Sequence, residues 1–262
     1  MNHLVIGDIH GCGDELRSLL SVVEAEYDST TTRIVLLGDL LTKGPQPGLV
    51  VSELTRLRQL GWRIELICGN HELRLLGAIG RLRGGLPLEQ LDRLERETII
   101  RLRNARALEG AFSLLMEATG RIQYRWTGGP RPFTAVHAGF EPTLGLEGTP
   151  DHIKMHIKAR KNERDWWDRY DGEEGLVVCG HKPVPEPLMI RAGDGTPCVV
   201  NLDTGCWMGG HLSCYDVERD LIFQVRSRQP IDPRRLAFAL SPTLAPTSMR
   251  SASAAHARTT AG

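Results

Sequence analysis

Short apolar, β-branched runs recur along the chain, and each closes on glycine beside a polar side chain. HLVIGD ends at Asp8, TRIVLLGD at Asp39 and RIELICGN at Asn70; FTAVHAG contains His137, and LVVCGH ends at His181. Runs this short, bounded by glycine, read as buried strands. The segments between the first three have helical spacing instead. Asp14 to Glu24 sets Leu16, Leu19, Leu20 and Val23 on one face, and Gly48 to Leu60 does the same with Val50, Leu54, Leu57 and Leu60. Strand, helix, strand, helix, strand predicts an α/β fold with parallel pairing and crossover helices.

The pattern changes between Glu72 and Thr127. Leu, Arg and Glu dominate, β-branched residues thin out, and LPLEQLDRLERETIIRLRNARALEGAFSLLMEA reads as two or three helices. This stretch, about 73–127, is expected to be a helical insertion, either a cap over the site or a plain layer packed on the sheet. Three more strand-like runs follow His181: PCVVNLDTG, HLSCYDVE and LIFQVRS. Gly209-Gly210 predicts a hairpin turn between the first two. From Gln229 the chain is rich in Pro, Ser, Thr, Ala and Arg. The expected organisation is one domain over 1–228 and a disordered tail over 229–262.

Composition narrows the function. With 262 residues, 41% of them hydrophobic, the chain can bury a large core. Lys+Arg 32 cancels Asp+Glu 32, so no global field draws it to nucleic acid or anionic membrane. No stretch is long and apolar enough to span a bilayer, and the opening apolar run is too short for a signal peptide. A cytoplasmic protein with no membrane partner and no general nucleic-acid binding is expected. Six cysteines, at positions 12, 68, 179, 198, 206 and 214, form no CxxC pair and are expected to be reduced, packing thiols.

The strand ends carry the candidate chemistry. Gly7-Asp8-Ile9-His10-Gly11 puts a carboxylate and an imidazole two residues apart on a glycine-flanked turn, where both can converge on one cation. Asp39 can bridge two cations. In Gly69-Asn70-His71-Glu72 the Asn amide oxygen is a ligand type and His71 can face substrate. His137 and His181 can complete the shell of a second metal. Any one of these has an ordinary explanation as a cap or turn residue. Five strand ends placing ligand types beside glycine do not, because the ends of parallel strands share one edge, where α/β sheets build sites.

GDIHG, GDLLTKGP, GNHE, VHAG and GH, in this order, resemble the calcineurin-like metallophosphoesterases, and more narrowly the phosphoprotein phosphatase superfamily. The resemblance runs from about Leu4 to Val225. It implies a four-layer α-β-β-α sandwich with a dinuclear site, Mn first, with Fe, Zn, Co or Ni as alternatives. Residue by residue, it implies that Asp8 and His10 hold one metal, that Asp39 bridges, that Asn70, His137 and His181 hold the other, and that His71 is the general acid. Protein serine/threonine phosphatases carry GDxVDRG in the second motif and HGG in the fourth. Here Thr42 and Lys43 replace that Asp and Arg, and His137 precedes Ala138-Gly139. A KGP second motif with HAG is similar to the diadenosine tetraphosphatase branch, as is LDTGCWMGGHLSC.

The expected activity is therefore hydrolysis of dinucleoside polyphosphates by a hydroxide shared between two cations; a phosphoprotein substrate is the alternative. Lys43 is the first candidate for stabilising the phosphoryl charge, and Arg160 the second. Trp166 and Trp167 are expected to pack rather than stack on a base. Trp207 is as apt to line the site as not, and Asp203 and His211 are at most supporting groups.

Overall fold

A computed structural model of the chain describes residues 1–159 and 163–231. The expected tail therefore falls outside the described residues from position 232 onward. The first three strands, β1 (Asn2–Ile6), β2 (Thr32–Leu36) and β3 (Arg63–Leu66), alternate with helices α1 (Gly13–Glu26) and α2 (Pro47–Gln59). They pair in parallel in chain order, as the alternation predicted. Leu60 departs from its expected place on the apolar face of α2: it caps that helix and is exposed.

Three helices follow: α3 (Asn70–Arg83), α4 (Arg93–Asn104) and α5 (Leu108–Thr119). A second sheet comprises β4 (Gln123–Trp126), β5 (Phe133–Val136), β6 (Leu176–Cys179), β7 (Leu188–Arg191) and β8 (Pro197–Asn201). Short helices α6 (Gly145–Gly148) and α7 (Asp151–His156) lie between β5 and β6. The chain then returns to the first sheet with β9 (His211–Asp216) and β10 (Leu221–Arg226). The sheet orders are β10-β9-β1-β2-β3 and β4-β5-β6-β8-β7. β5, β6 and β8 run parallel, flanked by antiparallel edges.

The side-chain period of two explains the layering. Leu4 and Ile6 of β1 face a core shared with α1 to α5, while Val5 between them faces the second sheet. In the second sheet Val178 and Val200 face inward, and Val177, Cys179 and Val199 face an outer cluster containing Phe140, Trp166 and Trp167. The result is helices, sheet, sheet and an outer layer, the mixed two-sheet α/β arrangement expected from the motifs. Leu75, Ile79, Ile99, Leu102 and Leu115 of α3 to α5 belong to the same buried cluster as Leu16 and Leu54 of α1 and α2.

One expectation fails. Gly209-Gly210 does not join a hairpin, because β8 and β9 belong to different sheets. Gly205 and Gly209, both left-handed, instead frame a single 3-10 turn, Cys206–Met208, through which the chain crosses between sheets. The hairpin is the β9–β10 pair.

Candidate active site

The glycine-closed strand ends come from both sheets and meet at one edge. Loops after β1 and β2 are laced together by backbone bonds: His10 N–H to Asp39 O at 2.7 Å, Gly11 N–H to Leu40 O at 2.8 Å and Gly44 N–H to His10 O at 2.7 Å. Glu72, in the first turn of α3, accepts from the N–H groups of Asp39 (2.6 Å), Leu40 (2.8 Å) and Gly69 (2.9 Å), tying the β2 loop to the β3 loop. Sequence reading assigned no role to Glu72. Its signal was the acidic residue three positions into a helix, the usual acceptor for free N-terminal N–H groups.

Four of the site candidates, His10, Asp39, Lys43 and His181, have positive φ, between 47° and 69°. Among the described residues only Arg106 and Asp220 are the other non-glycine cases. Backbone strain of this kind concentrates where side chains must be aimed. The flanking glycines leave room for the carboxylates: a Cβ on Gly180 would lie 2.1 Å from Asp8 Oδ1, and one on Gly69 would lie 2.5 Å from Asp39 Oδ1.

Two buried donor trios share Asp39: His10, Asp39 and His71, and Asp39, His137 and His181. Asp39 Oδ2 is 3.3 Å from His10 Nε2 and 3.9 Å from His71 Nε2, and Asp39 Oδ1 is 3.5 Å from His137 Nε2. Asp8 stands slightly farther out, its Oδ2 3.8 Å from His10 Nε2, while both of its oxygens face the N–H of His181. His137 Nδ1 is 2.8 Å from the Leu37 carbonyl, which can only accept, so Nδ1 carries the proton and Nε2 keeps its lone pair. That lone pair faces the acceptor Asn70 Oδ1 at 3.1 Å, with His181 Nδ1 also 3.1 Å away. The imidazole lone pair and the amide oxygen repel at this distance unless a cation lies between them. His181 Nε2 is also buried with no hydrogen-bond partner. The residues fit divalent metal on these grounds, and their mixed oxygen and nitrogen donors suit borderline ions.

Electrostatics point the same way. Burial pushes Asp39 and Asp203 each up to about 6. Asp8 is held well above the carboxylate range by burial, then by the charges of Asp203 and Asp39. Glu72 is pushed up to about 7 by burial, then by Asp39. Burial, then the nearby ammonium of Lys43, lowers His71 to about 3 and depresses His10; burial lowers His137 to about 4 and depresses His181. The site thus gathers neutral imidazoles, the ligating form, with carboxyls whose ionisation awaits positive charge.

Lys43 joins this cluster. Its Nζ lies 2.6 Å from His10 Nε2 and 4.7 Å from the Trp207 ring, which sets Trp207 at the site's margin. Thr42 Oγ1 is 3.0 Å from His71 Nδ1 and 3.3 Å from His10 Nδ1. Lys158 acts on Asp39, His71 and His181 through its charge, a contribution that sequence reading had sought from its neighbour Arg160. Arg160 lies outside the described residues. Trp166 and Trp167 pack in the outer cluster as expected.

Residues 1–215 match the family profile of the calcineurin-like phosphoesterases. The chain belongs to that family. This phosphoesterase is 37% identical over 274 residues to a symmetrical bis(5'-nucleosyl)-tetraphosphatase of Hamiltonella defensa subsp. Acyrthosiphon pisum (strain 5AT), spanning 85% of this chain and 96% of the relative. It is 28% identical over 253 residues to the asymmetrical bis(5'-nucleosyl)-tetraphosphatase PrpE of Geobacillus sp. (strain WCH70), spanning 88% and 96%. Among solved structures, a protein provisionally assigned as a diadenosine tetraphosphatase matches with TM-score 0.61 at 21% identity, over 86% of this chain and 93% of that one. The hypothetical protein PH1004 from Pyrococcus horikoshii OT3 matches with TM-score 0.53 at 14% identity, over 92% and 94%. These two likenesses speak for the fold. Family and relatives make the chain a hydrolase of phosphoric esters or anhydrides. Among the described residues no helix is long and apolar enough to cross a membrane.

Proposed function

We propose that this phosphoesterase cleaves phosphoanhydride bonds of dinucleoside polyphosphates, with Asp8, His10, Asp39, Asn70, His137 and His181 holding two divalent cations. The carboxylate Asp39 is the shared ligand. Mn is the first choice for oxygen and imidazole donors, with Fe, Zn, Co or Ni as substitutes. When bound, the two cations supply Lewis-acid charge to the phosphoryl oxygens and lower the pKa of a water. Lys43 and Lys158 add fixed positive charge against the phosphate chain. Trp207 lies beside Lys43, its ring 4.7 Å from the ammonium.

One observation favours anhydrides over monoesters: the partner of His71 Nδ1 is the neutral hydroxyl of Thr42, at 3.0 Å. A carboxylate at that place would raise the imidazole's proton affinity. Burial and Lys43 hold His71 near 3, so it stays neutral and is a weak proton donor. A serine alkoxide leaves poorly without a proton, whereas the phosphate released from an anhydride is stable without one. All six cysteines are free and buried, which accords with a reducing compartment such as the cytoplasm.

The test is a comparison of kcat/KM for diadenosine tetraphosphate, a nucleoside triphosphate and a phosphoserine peptide, with Mn, Co, Mg and Ni supplied separately. The dinucleotide should lead, and chromatography of its products shows whether the cut is symmetrical. Faster turnover of the peptide would assign the chain to protein dephosphorylation instead.

A further inference from the structure

A second cluster of ligating side chains lies outside the Asp/His site. Cys12 precedes α1, Glu15 sits in that helix's first turn, and Cys206 opens the 3-10 turn after β8. Their sulfur and carboxylate atoms all lie within 4.8 Å of one another, and all three residues are buried. The two oxygens of Glu15 differ. Oε1 accepts from Arg228 N–H at 2.7 Å, Ser227 Oγ at 3.3 Å and Gln229 Nε2 at 3.5 Å. Oε2 is fully buried and has no hydrogen-bond partner. A carboxylate oxygen left so is costly unless something positive satisfies it. Cys12 Sγ faces the Cys206 thiol and has a long contact with His10 O, at 3.9 Å.

We propose that Cys12, Glu15 and Cys206 form a structural site for a thiophilic divalent cation of the zinc class. Two sulfurs and one carboxylate make a soft donor set that magnesium and manganese disfavour. Metal–sulfur bonds of about 2.3 Å in a tetrahedron put donors about 4 Å apart or slightly less, a spacing that atoms mutually within 4.8 Å can meet. On binding, each thiol gives up its proton to solvent, leaving two thiolates and one carboxylate on the ion. The fourth position falls to a water or to the hydroxyl of Ser227, which lies beside both Glu15 and Cys206. The ion would staple three places far apart in the chain: the loop carrying His10, the crossover turn between the sheets, and the strand exit at 227–229. Two centres in one molecule would then sort metals by softness, borderline ions to the histidines and thiophilic ones to the cysteines.

The experiment uses the full chain, reduced, stripped of metal, and held in saturating Mn. Titration with Cd or Co should give a near-ultraviolet thiolate-to-metal absorption that saturates at a single equivalent. No combination of Asp, Asn and His ligands produces that band. Cys12→Ser and Cys206→Ser should abolish it, Glu15→Gln should weaken binding by at least roughly 10-fold, and Cys198→Ser should keep it. If the variants fold poorly, the wild type still decides: zinc should protect Cys12 and Cys206, and not the other four, from alkylation read by mass spectrometry. No band, a band that survives in Cys206→Ser, or protection of other thiols would overturn the proposal. So would mild oxidation linking Cys12 to Cys206 in a protein that takes up no metal.

Discussion

Thr42 stands between two imidazoles, 3.0 Å from His71 Nδ1 and 3.3 Å from His10 Nδ1. Its hydroxyl orients both rings and adds no charge. Replacing it with aspartate would place a carboxylate against His71, raise that ring's proton affinity and restore a proton for a basic leaving group. Thr42→Asp should therefore raise the ratio of monoester to anhydride kcat/KM, by about 10-fold or more if general-acid help of the usual size is recovered. The measurement is p-nitrophenyl phosphate and a phosphoserine peptide against diadenosine tetraphosphate in the same Mn buffer. An unchanged ratio would mean that leaving-group protonation does not set the preference. The positions that converge at the site were the most legible part of the sequence, because each lies within two residues of a glycine. The structure gives the reason: at Gly180 and Gly69 any larger residue would drive its Cβ into Asp8 or Asp39.

At the scale of elements, legibility tracks local periodicity. β1, α1, β2, α2 and β3 were readable because each repeats with its own period over enough residues. β4 (Gln123–Trp126) was absorbed into the expected helical stretch: four residues on an edge, two of them polar, carry too short an alternation to stand out. β7 is equally short and half-exposed. The crossover at Gly205 to Gly210 was misread for a different reason. A glycine pair between two apolar runs looks the same whether the runs pair or part, and sheet membership is settled by packing far away in the chain. Helices α3 to α5 bury Leu75, Ile79, Ile99 and Leu102 in one cluster with α1 and α2, so they contribute to the main core. Leu102→Ala should accordingly cost about 2–5 kcal/mol of stability, read by urea unfolding, while kcat per folded molecule stays at the wild-type value. A loss below about 1 kcal/mol would show instead that these helices pack as a loosely attached cover.

The whole molecule packs two sheets face to face so that strand ends from both, β1 to β3 in one sheet and β5 and β6 in the other, meet at one end of the sandwich. That arrangement gathers Asp8, Asp39, Asp203 and Glu72 where burial opposes their ionisation, together with imidazoles kept neutral. Such a buried cluster is a destabilised part of an otherwise apolar fold, and divalent cations offset it only in the folded state, since the unfolded chain scatters the ligands. Binding to the native state alone adds about 2.7 kcal/mol at a hundred times Kd. For a domain of this size each kcal/mol moves Tm by roughly 2–4 °C, so Mn added to chelator-treated protein should raise Tm by roughly 5–10 °C. The rise should continue with Mn concentration, as mass action requires, and shrink sharply in His137→Ala, which removes a ligand from the buried trio around Asp39. Scanning calorimetry across a Mn series measures both. A Tm indifferent to Mn in the wild type would mean that the paired trios do not bind cations together, and the hydrolytic reading of this edge would lose its footing.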